Sequence, residues 1–268
     1  MTTLLPTWQK AAEEAARLGA DILENWRAKF SVREKGRADL VTEADHASQK
    51  AVQEFLQTRF PTHGFVGEED PNAKAGKGVP VTAPPTWIVD PLDGTANYVH
   101  DVPCYCVSIG LQVAGELVVG VILDPRQNEL FSAAKGLGAT LNGKPISTSS
   151  VSQLQGAMLS TGFPPDPDLQ QRNLHWWKVF SYRAQALRRT GSTALNLAYV
   201  ACGRFDGYWA FDNFAWDVAA GIVLVREAGG QVARADGSPI DPFQSDLLAS
   251  NSKIFPEFLE CLTNNKPG

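Results

Sequence analysis

The stretch that most constrains the fold is Trp87-Ile88-Val89-Asp90-Pro91-Leu92-Asp93-Gly94-Thr95. Its apolar start stops at Asp90-Pro91. Proline disfavours the α region for the residue before it and fixes its own φ, so a buried strand ending in a turn at Asp90 is predicted. Asp93 is predicted to cap the helix that follows, and Gly94 allows close approach to the N–H groups of Gly94 and Thr95. Two carboxylates and an anion-attracting helix start thus share one turn. Carboxylates repel a phosphate and helix-start amides attract it, and the two agree when a divalent cation lies between them. In isolation x-Pro-x-Asp-Gly is ordinary turn chemistry, and the sharper reading needs support from elsewhere in the chain.

Two acidic stretches at element boundaries supply it. Gly67-Glu68-Glu69-Asp70 follows the apolar pair Phe65-Val66, and Trp216-Asp217-Val218-Ala219-Ala220-Gly221 opens an apolar helix. With the first stretch they resemble, in order, the three signatures of the inositol monophosphatase family of magnesium-dependent, lithium-sensitive phosphatases. Weaker similarity includes Asp39-Leu40-Val41-Thr42-Glu43-Ala44-Asp45 and Arg189-Thr190-Gly191-Ser192-Thr193-Ala194. The resemblance implies an α+β fold, the layered αβαβα sandwich of the inositol monophosphatase/fructose-bisphosphatase type, assembled as a homodimer. It implies two or three Mg2+ ions, one held by Glu68, Asp90 and the carbonyl of Leu92, a second by Asp90, Asp93 and Asp217. By the same resemblance Glu68 and Thr95 orient the attacking water and Asp45 hydrogen-bonds Thr95. The N–H groups of Gly94 and Thr95 then meet the phosphate, with Asp93 and Asp217 also on the substrate. Ser160, Ser192 and Thr193 are further candidates for substrate contact, Thr193 foremost, although small polar residues at helix starts also serve as caps. Glu69 and Asp70 read as solvated acids or as support for the ligands.

Composition narrows the alternatives. With 268 residues and 44% hydrophobic content, the chain can build a real core. A net charge of −5 without a Lys/Arg run argues against nucleic acid, and the expected partner is a small-molecule phosphate monoester. No apolar run approaches the ~20 residues that span a bilayer, and the start lacks a basic segment followed by an apolar one, so a cytoplasmic protein without a membrane partner is expected. Four cysteines are too few for a disulfide scaffold, and Cys104-Tyr105-Cys106 lacks zinc-site spacing. They are read as reduced, mostly buried thiols. The four histidines form no H-E-x-x-H pattern, which leaves hard oxygen ligands and hence magnesium or manganese.

Along the chain, 8–26 has helical apolar spacing through Ala11, Ala12, Ala15, Leu18, Ile22, Leu23 and Trp26, and 31–38 reads as a mobile loop. Thr42 and Asp45 resemble a capping box, with Ala44, Ala47, Ala51, Phe55 and Leu56 facing the core. The segment 71–85 is a Pro- and Gly-rich excursion expected to be flexible, and 105–144 carries antiparallel strands with a hairpin at Asn142-Gly143. Helices and strands then alternate. Residues 1–150 form an N-terminal α+β half with the first two motifs, and 151–268 a C-terminal α/β half with the third, in one structural unit. Trp176 and Trp177, adjacent on a helix and so about 100° apart, are candidates for the dimer interface.

Two rival activities remain: another phosphatase of the superfamily, acting on histidinol phosphate, fructose 1,6-bisphosphate or adenosine 3',5'-bisphosphate, or a regulatory binding protein on the same fold. Thr95-Ala96-Asn97-Tyr98-Val99-His100 resembles the inositol branch more than relatives with lysine after the threonine. The sequence also departs from the pattern. Inositol-specific relatives carry a substrate-binding glutamate seven residues before the aspartate of the third motif, where this chain has Ala210. Broader acceptance of small sugar and polyol phosphates is therefore expected, with Asp212 the nearest carboxylate that could substitute.

Overall fold

The computed structural model describes residues 2–27, 29–36, 39–70, 78–80, 82–164, 166–244 and 246–264. In the first half the elements are α1 (Leu5–Trp26), β1 (Val32–Gly36), β2 (Asp39–Thr42), α2 (Glu43–Arg59), β3 (Gly64–Gly67), β4 (Thr86–Asp93), α3 (Thr95–Val99), β5 (Cys106–Val113), β6 (Glu116–Asp124), β7 (Glu129–Ala134), β8 (Ala139–Leu141) and β9 (Lys144–Pro145). There follow β10 (Met158–Thr161), α4 (Gln170–Ser181), β11 (Ala186–Arg188), α5 (Thr193–Ala201), β12 (Gly207–Ala210), α6 (Ala215–Glu227), β13 (Gly230–Ala233), β14 (Leu247–Asn251) and α7 (Phe255–Asn264).

Strands β3 to β9 form a seven-stranded sheet in sequence order, antiparallel throughout except for the parallel pair β3–β4. The second sheet has five strands in the order β11-β10-β12-β14-β13. Three hydrophobic clusters stack the layers. One joins α1 and α2 to a face of the large sheet, the second fills the space between the sheets with α5 and α6, and the third packs α4 and α7 outside the small sheet. This is the αβαβα sandwich. The middle of the buried stripe on α1 is alanine, with Ala11, Ala12, Ala15 and Ala16 fully buried, so the helix lies close to the sheet there; Leu18, expected inside, is 36% exposed. In α2, Ala44 and Leu56 are buried as expected, while Ala47, Ala51 and Phe55 are half-buried and Ser48, Gln49 and Val52 take the inner positions.

Several expectations are corrected. The loop predicted at 31–38 is largely strand, with Val32 paired to Thr42 and Glu34 to Leu40, while residues 37 and 38 lie outside the described ones. So do 71–77 and 81 of the predicted excursion. Strand β4 does not stop at Asp90. The pairs Asp90↔Ser108 and Asp93↔Cys106 place one extra residue on β4, a bulge that accommodates Pro91, which has no N–H for the ladder. Past the bulge the strand runs three residues beyond Asp90, so that Asp93 ends it and Gly94 occupies the cap position of α3 at φ 99. Asp93 is thereby released from the predicted capping role. The hairpin at Asn142-Gly143 forms as read, with both residues at positive φ.

Candidate active site

Glu68 is placed by strand pairing. β3 runs parallel to β4 with Gly67 opposite Val89, and the Glu68 N–H donates to the Val89 carbonyl at 3.2 Å, which sets Glu68, just past the end of β3, beside Asp90 at the β4 bulge. Asp90 is 2% exposed, and its Oδ1 accepts the Leu92 N–H at 3.0 Å. Burial, and then the charges of Glu68, Asp93 and Asp217, push its carboxyl well above the usual range. Asp93 Oδ2 accepts from the Ser192 hydroxyl at 2.7 Å and the Ala194 N–H at 2.6 Å. Burial nevertheless raises its pKa to about 6, with the Ser192 and backbone hydrogen bonds opposing the rise. Asp217 sits in the first turn of α6, its Oδ2 accepting the Phe214 N–H at 2.7 Å. The ends of β3 and β4 and the start of α6 thus bring four carboxylates into one cleft of about 430 Å³.

The turn is supported from behind. Asp45, fully buried, takes the Thr42 N–H at 2.9 Å on Oδ2 and the Thr95 hydroxyl at 3.3 Å on Oδ1, so the capping box of α2 also reaches the Asp-Gly-Thr turn. The Thr95 hydroxyl also lies 3.1 Å from the Leu92 carbonyl. Gly94, Thr95, Ser192 and Thr193 line the cleft, and the Thr193 hydroxyl is 3.0 Å from that of Tyr208. Ser160 does not belong there: it is fully buried inside β10. Ser192 caps α5 and holds Asp93, a contact across 99 residues that no local spacing signals. Glu69 is not solvated. Its side chain is 3% exposed and 3.8 Å from His46, while Asp70 accepts the Gly67 N–H at 3.0 Å and shapes the turn. Asn97, given no role of its own in the sequence reading, donates to the carbonyls of Cys104 at 2.7 Å and Thr190 at 2.9 Å, pinning α3 to the segment that carries Ser192. Its signal in the sequence is weak: an asparagine two residues beyond Thr95 in a helix of five.

Among the described residues no three His, Cys, Asp or Glu side chains already form a closed metal cage. The donor set nonetheless fits a hard divalent cation, since all four side chains offer oxygen and face one cleft, and since the rise that burial gives the Asp90 pKa is increased by the charges of the other three, a repulsion that a cation would relieve. The four cysteines are free thiols, Cys106 and Cys261 buried and the others half-buried. Cys106 lies beneath the site with Sγ 4.0 Å from Asp93 Oδ2, and burial with the Asp93 charge raises its pKa well above the ordinary range, so it stays a thiol.

The fold and the carboxylate cleft define a layered α/β phosphatase, and the family model described as "Inositol monophosphatase family" matches residues 5–266. The chain belongs to that family, whose members are metal-dependent phosphatases. It is 43% identical over 261 residues to the "Inositol-1-monophosphatase" of Synechocystis sp., an alignment covering 96% of this chain and 89% of that one. It also resembles the structure of inositol monophosphatase from Anabaena (Nostoc) sp. PCC 7120, with a TM-score of 0.84, 37% identity and 98% of each chain covered. A more distant relative, an IMPase/NADP phosphatase complexed with Mg2+ and phosphate, superposes with a TM-score of 0.85 at 25% identity over 97% of each chain. Among the described residues no helix is long and apolar enough to cross a membrane.

Proposed function

We propose that the chain is a magnesium-dependent phosphatase of small phosphate monoesters, inositol monophosphate among them. The observation that carries this reading is the meeting of Glu68, Asp90, Asp93 and Asp217 in the cleft that Gly94 and Thr95 also line. Glu68, Asp90 and the Leu92 carbonyl would hold one Mg2+, and Asp90, Asp93 and Asp217 a second, with room for a third during turnover. When bound, such cations supply Lewis acidity to the ester and acidify water. The chain's own residues supply position. Gly94 and Thr95 offer N–H groups to the phosphate oxygens, and the Thr95 hydroxyl, held by Asp45, fixes with Glu68 where a water can sit in line with the scissile bond. Asp93 and Asp217 also face the alcohol part. Thr193, tied to Tyr208, is a weaker substrate contact than the sequence suggests because its hydroxyl is partly committed.

Phosphate release from a substrate panel, with and without Mg2+, tests the activity directly; release that ignores chelator sinks it. Lithium inhibition is expected through occupation of a cation position. A homodimer is expected too. Trp176 is 3% exposed and belongs to the core, so Trp177, half-buried with its ring 6.1 Å from Phe163, is the interface residue of the pair. A monomeric mass in light scattering removes that assignment.

The carboxylates make a second prediction. A carboxyl whose folded pKa is raised contributes stability at low pH, and this is lost as pH climbs from the ordinary 3.8 through about 6, the values for Asp93. Metal-free protein should therefore lose thermal stability across that window. Magnesium, which needs the ionised groups, should raise the melting temperature more at pH 7.5 than at pH 5. Equal magnesium shifts at both values would contradict the ligand assignment.

A further inference from the structure

Three parallel strands end together at the cleft: Thr161 of β10 lies level with Trp209 of β12, and Ser160 with Arg188 of β11. The chain just beyond these ends builds the wall facing the alcohol part of a substrate, with Phe163 after β10, Arg189 after β11 and Phe211 after β12. Where inositol-specific relatives carry their glutamate, Ala210 is 1% exposed and offers no acceptor. The carboxylate on this wall, Asp212, stands close enough to Arg172 for that charge to offset part of the rise that burial gives its pKa. Arg189 is different. Its guanidinium carbon sits 4.6 Å from the centroid of the Phe163 ring, and among the described residues it has no ion-pair partner. Phe163 is itself packed against Trp177. A guanidinium seated on a supported ring is preorganised, and its donors can still meet an anion in the fork geometry that suits carboxylate or phosphate.

Resting on the phosphatase reading above, we propose that Arg189, seated on Phe163, is a subsite for a second anionic group on the alcohol part of the substrate, a carboxylate or a second phosphate. The reacting phosphate belongs at the end of β4, with Gly94 and Thr95, whereas Arg189 belongs to the wall built by the small sheet. The cleft thus separates its anion-attracting positions between two sheets. A substrate with a single phosphate and an uncharged polyol would use the first and leave the second facing aromatic rings. A doubly anionic ester satisfies both.

The test compares matched pairs: 3-phosphoglycerate against glycerol 1-phosphate for a carboxylate, and inositol 1,4-bisphosphate against inositol 1-phosphate for a second phosphate. The wild-type enzyme with Mg2+ should favour the charged member of at least one pair by about tenfold or more in kcat/KM, mainly through KM, and the favoured pair identifies the group. In Arg189→Gln that preference should shrink by roughly 10- to 100-fold, the range expected for one charge-assisted contact, with Arg189→Lys in between. Equal kcat/KM within both pairs for the wild type overturns the proposal, as does an Arg189→Gln variant that loses activity equally on charged and uncharged members. Absence of phosphate release from all four esters would instead sink the phosphatase reading, and this subsite with it.

Discussion

Asp90→Asn is expected to raise the melting temperature of the metal-free protein at neutral pH and to lower kcat/KM by at least about a hundredfold. Asp90 is 2% exposed, and three neighbouring carboxylates oppose its ionisation. Asparagine keeps the oxygen that accepts the Leu92 N–H, removes the buried charge and turns a donor toward Glu68. Relief of about 1–3 kcal/mol corresponds to roughly 2–12 °C in a chain of this size. Activity moves the other way, because the removed charge is the one that both proposed cation positions share and such cations supply several kcal/mol of transition-state stabilisation. A lower melting temperature in the absence of metal, or phosphate release near the wild-type rate, would show that Asp90 is not the charge on which the site turns. The opposite signs matter: a residue kept for packing loses stability and activity together, whereas a carboxylate kept for metal loses activity alone.

Much of the site was legible because its residues stand at element boundaries, where sequence patterns change character. Asp90 follows an apolar run, Glu68 follows Phe65-Val66, and Asp217 opens an apolar helix, so each could be read from its neighbours. What the neighbours cannot tell is where a strand ends when a bulge absorbs a proline. The strand therefore ran on to Asp93 and left the cap to Gly94. Contacts over long separations were equally hidden. Ser192 reads locally as a helix cap and is one, yet its hydroxyl also fixes Asp93, and Asn97 reaches the Thr190 carbonyl across 93 residues. The pair β1–β2 escaped because Val32 to Gly36 is polar and charged, without the alternation that marks a strand buried on one face. The layered fold was carried by resemblance, since periodicity gave the helices and strands but not the order in which sheets and helices stack.

Gly120→Ala is expected to cost about 3 kcal/mol, lowering the melting temperature by roughly 6–12 °C, and to weaken catalysis as well. Gly120 and Gly110 are cross-strand partners beneath α6. A methyl group at Gly120 would stand 2.3 Å from the Ala220 carbonyl oxygen, and one at Gly110 2.8 Å from the Ala219 methyl. The obstacle at Gly120 is backbone, which no rotamer change can move aside, so the helix must shift by about 1 Å to reach an ordinary carbon–oxygen contact of roughly 3.3 Å. This explains the Ala219-Ala220-Gly221 run of the third motif in physical terms: small residues let α6 lie against a glycine pair on the sheet. One turn earlier the same helix carries Asp217. Asp90 is on the sheet against which the helix rests, so the glycine pair sets the separation between two carboxylates of the site. A displacement near 1 Å at such a site costs up to about a hundredfold in rate. Gly156→Ala, where an added methyl meets only Val151 at 3.9 Å, is the control. If Gly120→Ala melts like that control, or loses stability while its apparent magnesium affinity and kcat stay unchanged, the spacing of α6 over the sheet does not govern the site.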